Sequence, residues 1–265
     1  MHFELLGLIS ANSAFSAVKN MSAIAANLAS VRERIEAAAR RAGRDPLTVR
    51  LVAVCKTVGS ERVREAVEAG AQILGENYIQ EAQRKIETLR VGIPWHFIGH
   101  LQKNKAKYAI RLFDLIHSVD SFALAEELNR AAQKQGKVQE VLLQADLSGA
   151  ETKFGVSEGE IIHLAEKISE LKNISVKGLM TLPPFSDDPE ESRPYFQKLR
   201  SLRDQLVRMK IPGVSPEELS MGMSGDFEVA IEEGATLIRI GTAIFGPRPA
   251  KQLNGTQISA DFQDS

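Results

Sequence analysis

The stretch RLVAVCKTVGSERVREAVEAGAQILGENYIQEAQRKIETL, residues 50–89, repeats one pattern twice. Each repeat begins with a short apolar run, RLVAVC and then QILG, and continues into a segment whose apolar residues recur every three or four positions. The apolar runs are typical of buried strands, and the spacing that follows them is typical of amphipathic helices. Two successive strand–helix units predict parallel strands that are connected by helices.

The same alternation runs through the rest of the chain. A helical pattern follows every predicted strand except the last, and a long amphipathic helix over residues 22–42, ended by Gly43, precedes the first. Eight strands that alternate with helices predict the α/β class and a single (β/α)8 TIM barrel with an extra N-terminal helix. The later strands begin at residues 95, 115, 140, 176, 218 and 236, with the sequences WHFIG, LIHSV, EVLLQADL, VKGLMTL, ELSMG and TLIRIGTAIFG.

An open, doubly wound sheet is the alternative architecture, and it is disfavoured because no glycine-rich dinucleotide fingerprint follows the first strand. The barrel is expected over residues 21–248, and residues 249–265 are expected to form a polar C-terminal tail. Residues 1–20 are expected to be a flexible extension, with Met21 as an alternative start. A signal peptide is disfavoured there because the apolar stretch is short, contains Glu4 and lacks a basic beginning.

The composition excludes several classes of function. The 265 residues are 43% hydrophobic and 25% charged, and the net charge of −1 provides no overall field that would recruit nucleic acid or an anionic membrane. The single cysteine, Cys55, excludes an internal disulfide and fits a cytoplasmic protein. Five scattered histidines predict no metal site, and His96 is expected to be a core histidine. A solvated helix face is expected to carry Lys103, Lys105 and Lys107.

Lys56 follows the first predicted strand at its carboxyl end, which is where the functional residues of such barrels lie. The ordinary interpretation is a lysine that extends to solvent as the strand ends. The functional interpretation is an amine that forms a Schiff base with a carbonyl ligand. Strand alternation turns Cys55 away from Lys56, so the thiol is not expected to share its site.

The loops after the seventh and eighth predicted strands both offer glycine beside a hydroxyl. Ser224-Gly225-Asp226 opens a helix, and Gly241-Thr242 follows the last strand. By itself the first of these is explained by an ordinary helix cap in which Asp226 satisfies the first turn. Because free N–H groups and hydroxyls attract anions, and because these two loops often bind phosphate in barrels, the pair predicts a phosphate site.

Two further polar residues are candidates for ligand contact. Arg239 shares a strand face with Gly241, and a guanidinium that lines the barrel needs an acceptor. That acceptor is either a carboxylate such as Glu76 or Asp146, or a ligand ring or phosphate. Asn77 follows the second strand, where it either caps the next helix or contacts a ligand.

Several motifs resemble those of the pyridoxal phosphate homeostasis proteins. They span residues 23–247 and read AVCKT, LGENYIQEAQRK, WHFIGHLQKNK, HSVDS, TKFGV, GLMTL and LSMGMSGDFEVAIEEGATLIRIGTAIFG. The last of them is long and specific. The resemblance implies a single barrel of the fold type III class that binds pyridoxal 5′-phosphate (PLP), similar to the N-terminal domain of alanine racemases.

The resemblance also assigns roles to individual residues. It implies that Lys56 carries PLP covalently as a Schiff base, that Arg239 faces the pyridine nitrogen, and that Asn77 and Met221 line the cofactor. It implies that the phosphate is held by residues of the two loops, namely Ser224, Gly225, Gly241 and Thr242. No catalytic residue and no metal ligand are assigned.

A non-catalytic role in vitamin B6 homeostasis is the function expected from these assignments. Arginine can only donate, so the ring nitrogen that faces Arg239 stays unprotonated and the ring is a poor electron sink. Few residues follow the last predicted strand, so we do not expect the second domain that supplies a base in racemases. We expect a cytoplasmic, monomeric carrier or buffer of PLP that contacts apo-enzymes transiently and binds neither nucleic acid nor membrane.

Two enzymatic functions remain as alternatives. A PLP-dependent amino-acid racemase needs a second proton donor opposite Lys56, but Tyr78, Tyr108 and Tyr195 all have helical sequence surroundings. A Schiff-base aldolase that acts on a phosphorylated sugar also uses a barrel lysine and a phosphate site, although it would carry no chromophore.

Overall fold

The computed structural model describes residues 22–149 and 154–247. In this part of the chain one sheet contains nine parallel strands, and β4 also pairs with β5, which closes eight of them into a ring. The two-residue strand β6 pairs with the end of β5 beside the ring. The predicted barrel is therefore confirmed. The strands are β1 (Arg50–Val54), β2 (Leu74–Glu76), β3 (Trp95–Phe97), β4 (Leu115–Val119), β5 (Gln139–Asp146), β6 (Val156–Ser157), β7 (Ile174–Thr181), β8 (Val214–Ser220) and β9 (Leu237–Ile240).

Helices surround the ring and alternate with its strands, as the sequence predicts. Short 3-10 segments, over residues 46–48, 103–105, 158–160 and 189–192, precede β1, α4, α6 and α7. The α-helices are α1 (Ala23–Arg41), α2 (Ser60–Glu68), α3 (Ile79–Leu89), α4 (Ala106–Leu112), α5 (Phe122–Lys134), α6 (Ile161–Ser169), α7 (Arg193–Met209), α8 (Phe227–Glu232) and α9 (Thr242–Phe245). Among the described residues, no helix is long and apolar enough to span a membrane.

The N-terminal helix α1 has the boundaries that its sequence signals predict. Ser22 caps it by accepting a hydrogen bond from the Ala25 N–H at 3.2 Å, and the chain leaves it through Gly43, whose φ is +65°. The helix packs beside α8 and α9, and the Asn27 side-chain amide donates to the Ile244 carbonyl at 2.9 Å. The extra helix therefore ties the beginning of the barrel domain to its last helical turn.

The core has two parts. A large apolar cluster fills the space between the strands and the helices. A second, smaller cluster comes from strands and strand ends alone, and such a cluster lies inside the ring. Its members are Val52, Ile73, Leu115, Leu142, Met180 and Leu237.

The structure differs from the sequence-based prediction at the ends of some strands and in one additional short strand. The last strand ends at Ile240 rather than continuing to Gly246, because the Gly241 carbonyl accepts hydrogen bonds from the Ile244 and Phe245 N–H groups and so begins the helical turn α9. Strand β1 ends at Val54, which places Lys56 in the turn that follows. Strand β6 was not predicted, because two residues carry no periodicity. The predicted extension 1–20 and tail 249–265 lie outside the described residues.

Candidate functional site

The predicted site residues follow four neighbouring strands of the ring. Strand β1 pairs with β2 on one side and with β9 on the other, and β9 pairs with β8. Asn77, Lys56 and Gly241 follow β2, β1 and β9, and Ser224 lies in the loop after β8. Because all strands are parallel, these residues share the carboxyl end of the barrel.

The turn that carries Lys56 has an unusual backbone conformation. Lys56 is half-buried, and the next residue, Thr57, has a φ of +62°. A β-branched side chain rarely adopts this left-handed conformation, so the surrounding structure must hold it. The Thr57 N–H donates to Oε1 of Glu81 at 2.6 Å, and the Val58 N–H donates to the Cys55 carbonyl at 3.0 Å. Both bonds close the turn around Lys56.

A buried ion cluster lies beneath this turn. The Lys85 ammonium is 2.5 Å from Oε1 of Glu76 and 2.7 Å from Oε1 of Glu81, and it also donates to the Cys55 carbonyl. Burial raises the pKa of the Glu76 carboxyl. Burial alone would lower the pKa of Lys85, but hydrogen bonds to Glu76 and Glu81 and the negative charge of Glu76 raise it, so the ammonium stays protonated.

The cysteine beside Lys56 is not a nucleophile. Cys55 is fully buried, and its sulfur lies 3.3 Å from Oε1 of Glu76. Burial and then the negative charge of Glu76 raise the pKa of the thiol well above its usual range. The group therefore stays a neutral thiol and acts as part of the packing.

The loops after β8 and β9 meet, as the predicted phosphate site requires. The Ala243 N–H donates to the Ser224 hydroxyl oxygen at 3.4 Å. A Cβ atom at Gly241 would lie 3.4 Å from the Val54 carbonyl oxygen, so the end of β9 packs closely against the end of β1. Apart from its two chain neighbours, no residue in the described part of the chain has a heavy atom within 4 Å of a Cβ built on Gly225, so open space borders the Ser224 loop.

The loop after β8 also presents free backbone donors. Within the described ranges, the backbone N–H groups of Ser224 and Gly225 have no hydrogen-bond acceptor. The interpretation of Asp226 as a side-chain helix cap is wrong. Its carboxylate turns back and accepts from the Met223 N–H at 2.6 Å and from the Ser192 hydroxyl at 2.9 Å. Asp226 therefore fixes the loop and leaves its N–H groups available to an anion.

Arg239 is buried inside the ring. Its guanidinium donates to the Ser220 hydroxyl oxygen at 2.6 Å and to the Thr181 carbonyl at 2.9 Å. The alternative of an ion pair with Glu76 or Asp146 is wrong, because the acceptors of Arg239 among the described residues are the Ser220 hydroxyl and the Thr181 carbonyl. The other alternative, a contact with a ligand, stays a prediction. Burial lowers the pKa of Arg239 to about 10, so it remains a cation at neutral pH.

Two histidines extend this network across the barrel. Nδ1 of His117 lies 2.9 Å from the Ser220 hydroxyl oxygen, and its Nε2 lies 3.0 Å from Nδ1 of His96. Burial lowers the pKa of His96 to about 3 and, together with the positive charge of Arg239, lowers that of His117 well below its usual range. Both rings are neutral at physiological pH. The expectation that His96 is a core histidine is confirmed.

Asn77 has a buried polar atom with no partner. Its side-chain oxygen makes no hydrogen bond to any described residue. Asn77 does not cap α3, because Tyr78 occupies the cap position. A Cβ at Gly99 would lie 2.5 Å from the Asn77 carbonyl oxygen, so the loop after β3 holds Asn77 in place. An amide end without a partner beside Lys56 suits a ligand contact.

Two other predictions have different outcomes. Met221 is fully buried in the large apolar cluster, and its predicted contact with the cofactor stays a prediction. In the part of the chain that the structure describes, no group of three histidine, cysteine or acidic side chains is arranged to hold a metal ion.

Sequence reasoning missed the cluster of Glu76, Glu81 and Lys85 and the partners of Arg239. One signal for the cluster was present. Lys85 falls on the apolar face of α3, at the spacing of Ala82 and Leu89, where an unpaired charge would be costly. The partners of Arg239 lie on distant strands and carry no comparable local signal.

Comparison with known proteins identifies the family. The family model of the alanine racemase N-terminal domain matches residues 23–249. A pyridoxal phosphate homeostasis protein of Aquifex aeolicus is 49% identical over 83% of this chain and 96% of that protein. The chain belongs to the pyridoxal phosphate homeostasis protein family. The Escherichia coli K12 member of this family is 39% identical over 86% of the chain and 98% of its own length.

Solved structures agree with this family assignment. The structure of PipY from Synechococcus elongatus with PLP bound is 37% identical, has a TM-score of 0.74, and covers 84% of this chain and 100% of PipY. An alanine racemase of Clostridium difficile, at 17% identity and a TM-score of 0.64 over 86% of this chain and 57% of the racemase, shares the barrel fold.

Proposed function

We propose that this chain binds PLP reversibly through a Schiff base on Lys56 and serves intracellular PLP homeostasis as a carrier or buffer, without efficient catalysis. One observation carries the proposal: the end of β1, which leads to Lys56, packs against Gly241, and the Gly241 loop meets the Ser224 loop. An amine and an anion-binding loop pair on adjoining strands suit a small phosphorylated aldehyde. The family membership supports the same ligand.

The residues present fit the group. The Lys56 amine would add to the aldehyde carbon, the C=N bond would form, and the aldehyde oxygen would leave as water. The reverse reaction with water releases the aldehyde. The phosphate would be held by the N–H groups of Ser224 and Gly225 and by Thr242, whose backbone begins α9. The Asn77 side-chain oxygen, which has no partner among the described residues, would supply a further polar contact to the ring.

The chemistry of Arg239 supports the proposed absence of efficient catalysis. PLP acts as an electron sink when its ring nitrogen is protonated. Arg239 is fully buried, cationic at neutral pH and able only to donate, so it would hold that nitrogen unprotonated. Hydrogen bonds to the Ser220 hydroxyl and the Thr181 carbonyl hold the guanidinium in place.

We also infer a cytoplasmic location and transient contact with apo-enzymes.

The binding mode is tested by mixing the full chain with PLP and recording the visible absorbance of the Schiff base. Borohydride reduction followed by peptide mass spectrometry should place the adduct on Lys56. Lys56→Ala should abolish both the absorbance and the adduct, whereas Lys103→Ala, which changes an exposed lysine, should preserve them. An adduct spread over several surface lysines would overturn the proposal.

The racemase alternative is tested separately. The chain loaded with PLP is incubated with L-alanine in deuterium oxide, and exchange at Cα is followed by NMR. We expect exchange at or near the rate given by free PLP. Exchange at rates typical of enzymes, about 1–1,000 per second, would establish a racemase-like activity instead.

A further inference from the structure

The ion cluster beneath β1 contacts the backbone on both sides of Lys56. We call its three residues, Glu76, Glu81 and Lys85, the α3 clamp. The Lys85 ammonium donates to the carbonyl of Cys55, the residue before Lys56. Oε1 of Glu81 accepts from the N–H of Thr57, the residue after it, at 2.6 Å. Two bonds from one helix therefore bracket the single residue between them.

The clamp also reaches the second strand end that borders the site. Oε2 of Glu76 accepts from the Asn77 N–H at 3.2 Å, while Oε1 of the same carboxylate receives the Lys85 ammonium. The strand end at Asn77 and the turn at Lys56 are thus tied to one charge cluster. This shared attachment fixes the two neighbouring strand ends relative to each other.

The charges of the clamp are better explained by position than by stability. Glu76 is fully buried and Lys85 is 4% exposed. Replacing such a buried pair by apolar side chains is often neutral or stabilising, so burial alone gives no reason to place charges here. The clamp does supply a hydrogen-bond acceptor to the turn. Thr57 has a φ of +62°, and its N–H donates to Glu81.

We propose that Glu81 and Lys85 are positioning residues that hold the Lys56 backbone so that its amine meets the ligand aldehyde. This inference rests on the proposed function. Lys85 orients the Cys55 carbonyl, Glu81 orients the Thr57 N–H, and the Lys56 side chain leaves the backbone between these fixed points. Among the described residues, the clamp forms no hydrogen bond or ion pair with the loops after β8 and β9 or with Arg239, so it should affect condensation without affecting anion binding.

The test compares four variants of the full chain with the wild type. Glu81→Ala removes the acceptor, Glu81→Gln keeps an oxygen at the same reach, and Glu81→Asp keeps the charge but shortens the reach. Glu87→Ala is the matched control, because Glu87 lies on the same helix and its carboxylate accepts only from Gln83 among the described residues. Schiff-base formation with PLP is followed by visible absorbance, and inorganic phosphate is used as a competitor.

We expect Glu81→Ala and Glu81→Asp to form the Schiff base about tenfold more slowly, since small misplacements of a reacting group are costly. Glu81→Gln should stay within about twofold of the wild type, and Glu87→Ala should match it. Competition by inorganic phosphate should be the same in all five proteins. In the protein without PLP, hydrogen exchange at the Thr57 amide should accelerate in Glu81→Ala and not in Glu87→Ala.

The outcomes separate this inference from the proposed function. If wild type forms a Schiff base on Lys56 and both folded Glu81→Ala and Glu81→Asp form it at the same rate, the positioning role is wrong and the proposed function stands. If the wild type forms none, both are wrong. If Glu81→Ala does not fold, Glu81→Asp alone decides, because it retains the charge and shortens the reach to Thr57 and to Lys85.

Discussion

The inside of the barrel has two layers that differ in chemistry although they come from the same strands. Leu115, Leu142 and Leu237 belong to the apolar cluster inside the ring. Two residues further along those strands, on the same face, stand His117, Gln144 and Arg239, all of them buried. The change from leucine to a polar side chain marks the boundary between a layer that closes the barrel and a layer that borders the site.

The difference shows how a polar interior can be tolerated. The lower layer, which contains the three leucines, requires only side chains whose shapes fit together, and the upper layer is the one that contains His117, Gln144 and Arg239. In the upper layer each group needs a partner, and one of these contacts crosses the ring: β4 and β8 are not neighbours, yet His117 on β4 bonds to Ser220 on β8. The charge of Arg239 is offset by neutral acceptors, and the two imidazoles avoid a second buried charge by staying unprotonated.

The largest change in the free energy of unfolding is expected from a substitution in the lower layer. Leu142→Ala should lower the free energy of unfolding by about 2–5 kcal/mol, because it leaves a cavity where a fully buried side chain packed. Urea denaturation followed by circular dichroism measures the change. PLP binding by the folded fraction should be retained.

The control for this change lies on the surface. Val207 is 51% exposed on α7, so Val207→Ala should alter the unfolding free energy by no more than about 0.5 kcal/mol. If Leu142→Ala were as mild as Val207→Ala, the lower layer would not be the part that closes the barrel.

A smaller effect is expected in the upper layer. Ser220→Ala changes the volume little but removes the hydroxyl that accepts from Arg239 and contacts His117. Leaving those buried groups without a partner should cost about 1–3 kcal/mol of unfolding free energy. It should also weaken PLP binding, because the guanidinium loses one of its two fixed points. Urea denaturation and a visible-absorbance titration measure the two effects.

Ser118 provides a matched control on the strand of His117. Its hydroxyl is buried and makes no hydrogen bond to a described residue. Ser118→Ala should therefore be neutral or slightly stabilising and should leave PLP binding unchanged. Equal losses in Ser118→Ala and Ser220→Ala would mean that the hydrogen-bond network does not stabilise the upper layer.

The smallest change in the free energy of unfolding is expected from a change of pH within the measured range. The pKa of His96 is about 3 in the folded chain against an ordinary value of 6.5. Between these values the unfolded chain binds a proton that the folded chain does not, so stability is fully present above pH 6.5 and falls as the pH drops toward 3. The slope from this residue approaches about 1.4 kcal/mol per pH unit.

Urea denaturation between pH 7 and pH 5.5 measures that slope, and His96→Gln should reduce it. His163→Gln, at an exposed position on α6, should not. An unchanged slope in His96→Gln would show that His96 is not the group that takes up the proton on unfolding.

The sequence allowed the strands of the ring, the barrel, the place of Lys56 after the first strand and the meeting of two loops near Gly241 to be predicted, because each depends on local periodicity or on which strand end a residue follows. Of the two alternatives for Arg239, the ion pair with a carboxylate was wrong, and the contact with a ligand stays a prediction. A carboxylate is the expected acceptor for a buried guanidinium, and only the closed ring brings Ser220 and Thr181 within reach. The α3 clamp was missed because its bonds run from a helix to the backbone of another strand end.

The close packing of Gly241 against Val54 has a consequence for folding. β1 and β9 are the first and last strands of the ring, and their pairing is the seam where the barrel shuts. A ligand that is attached to Lys56 after β1 and held by the loop after β9 would connect these two strands and so stabilise their pairing. It would bind only after the last strand has docked, and it would then oppose reopening of the ring by mass action.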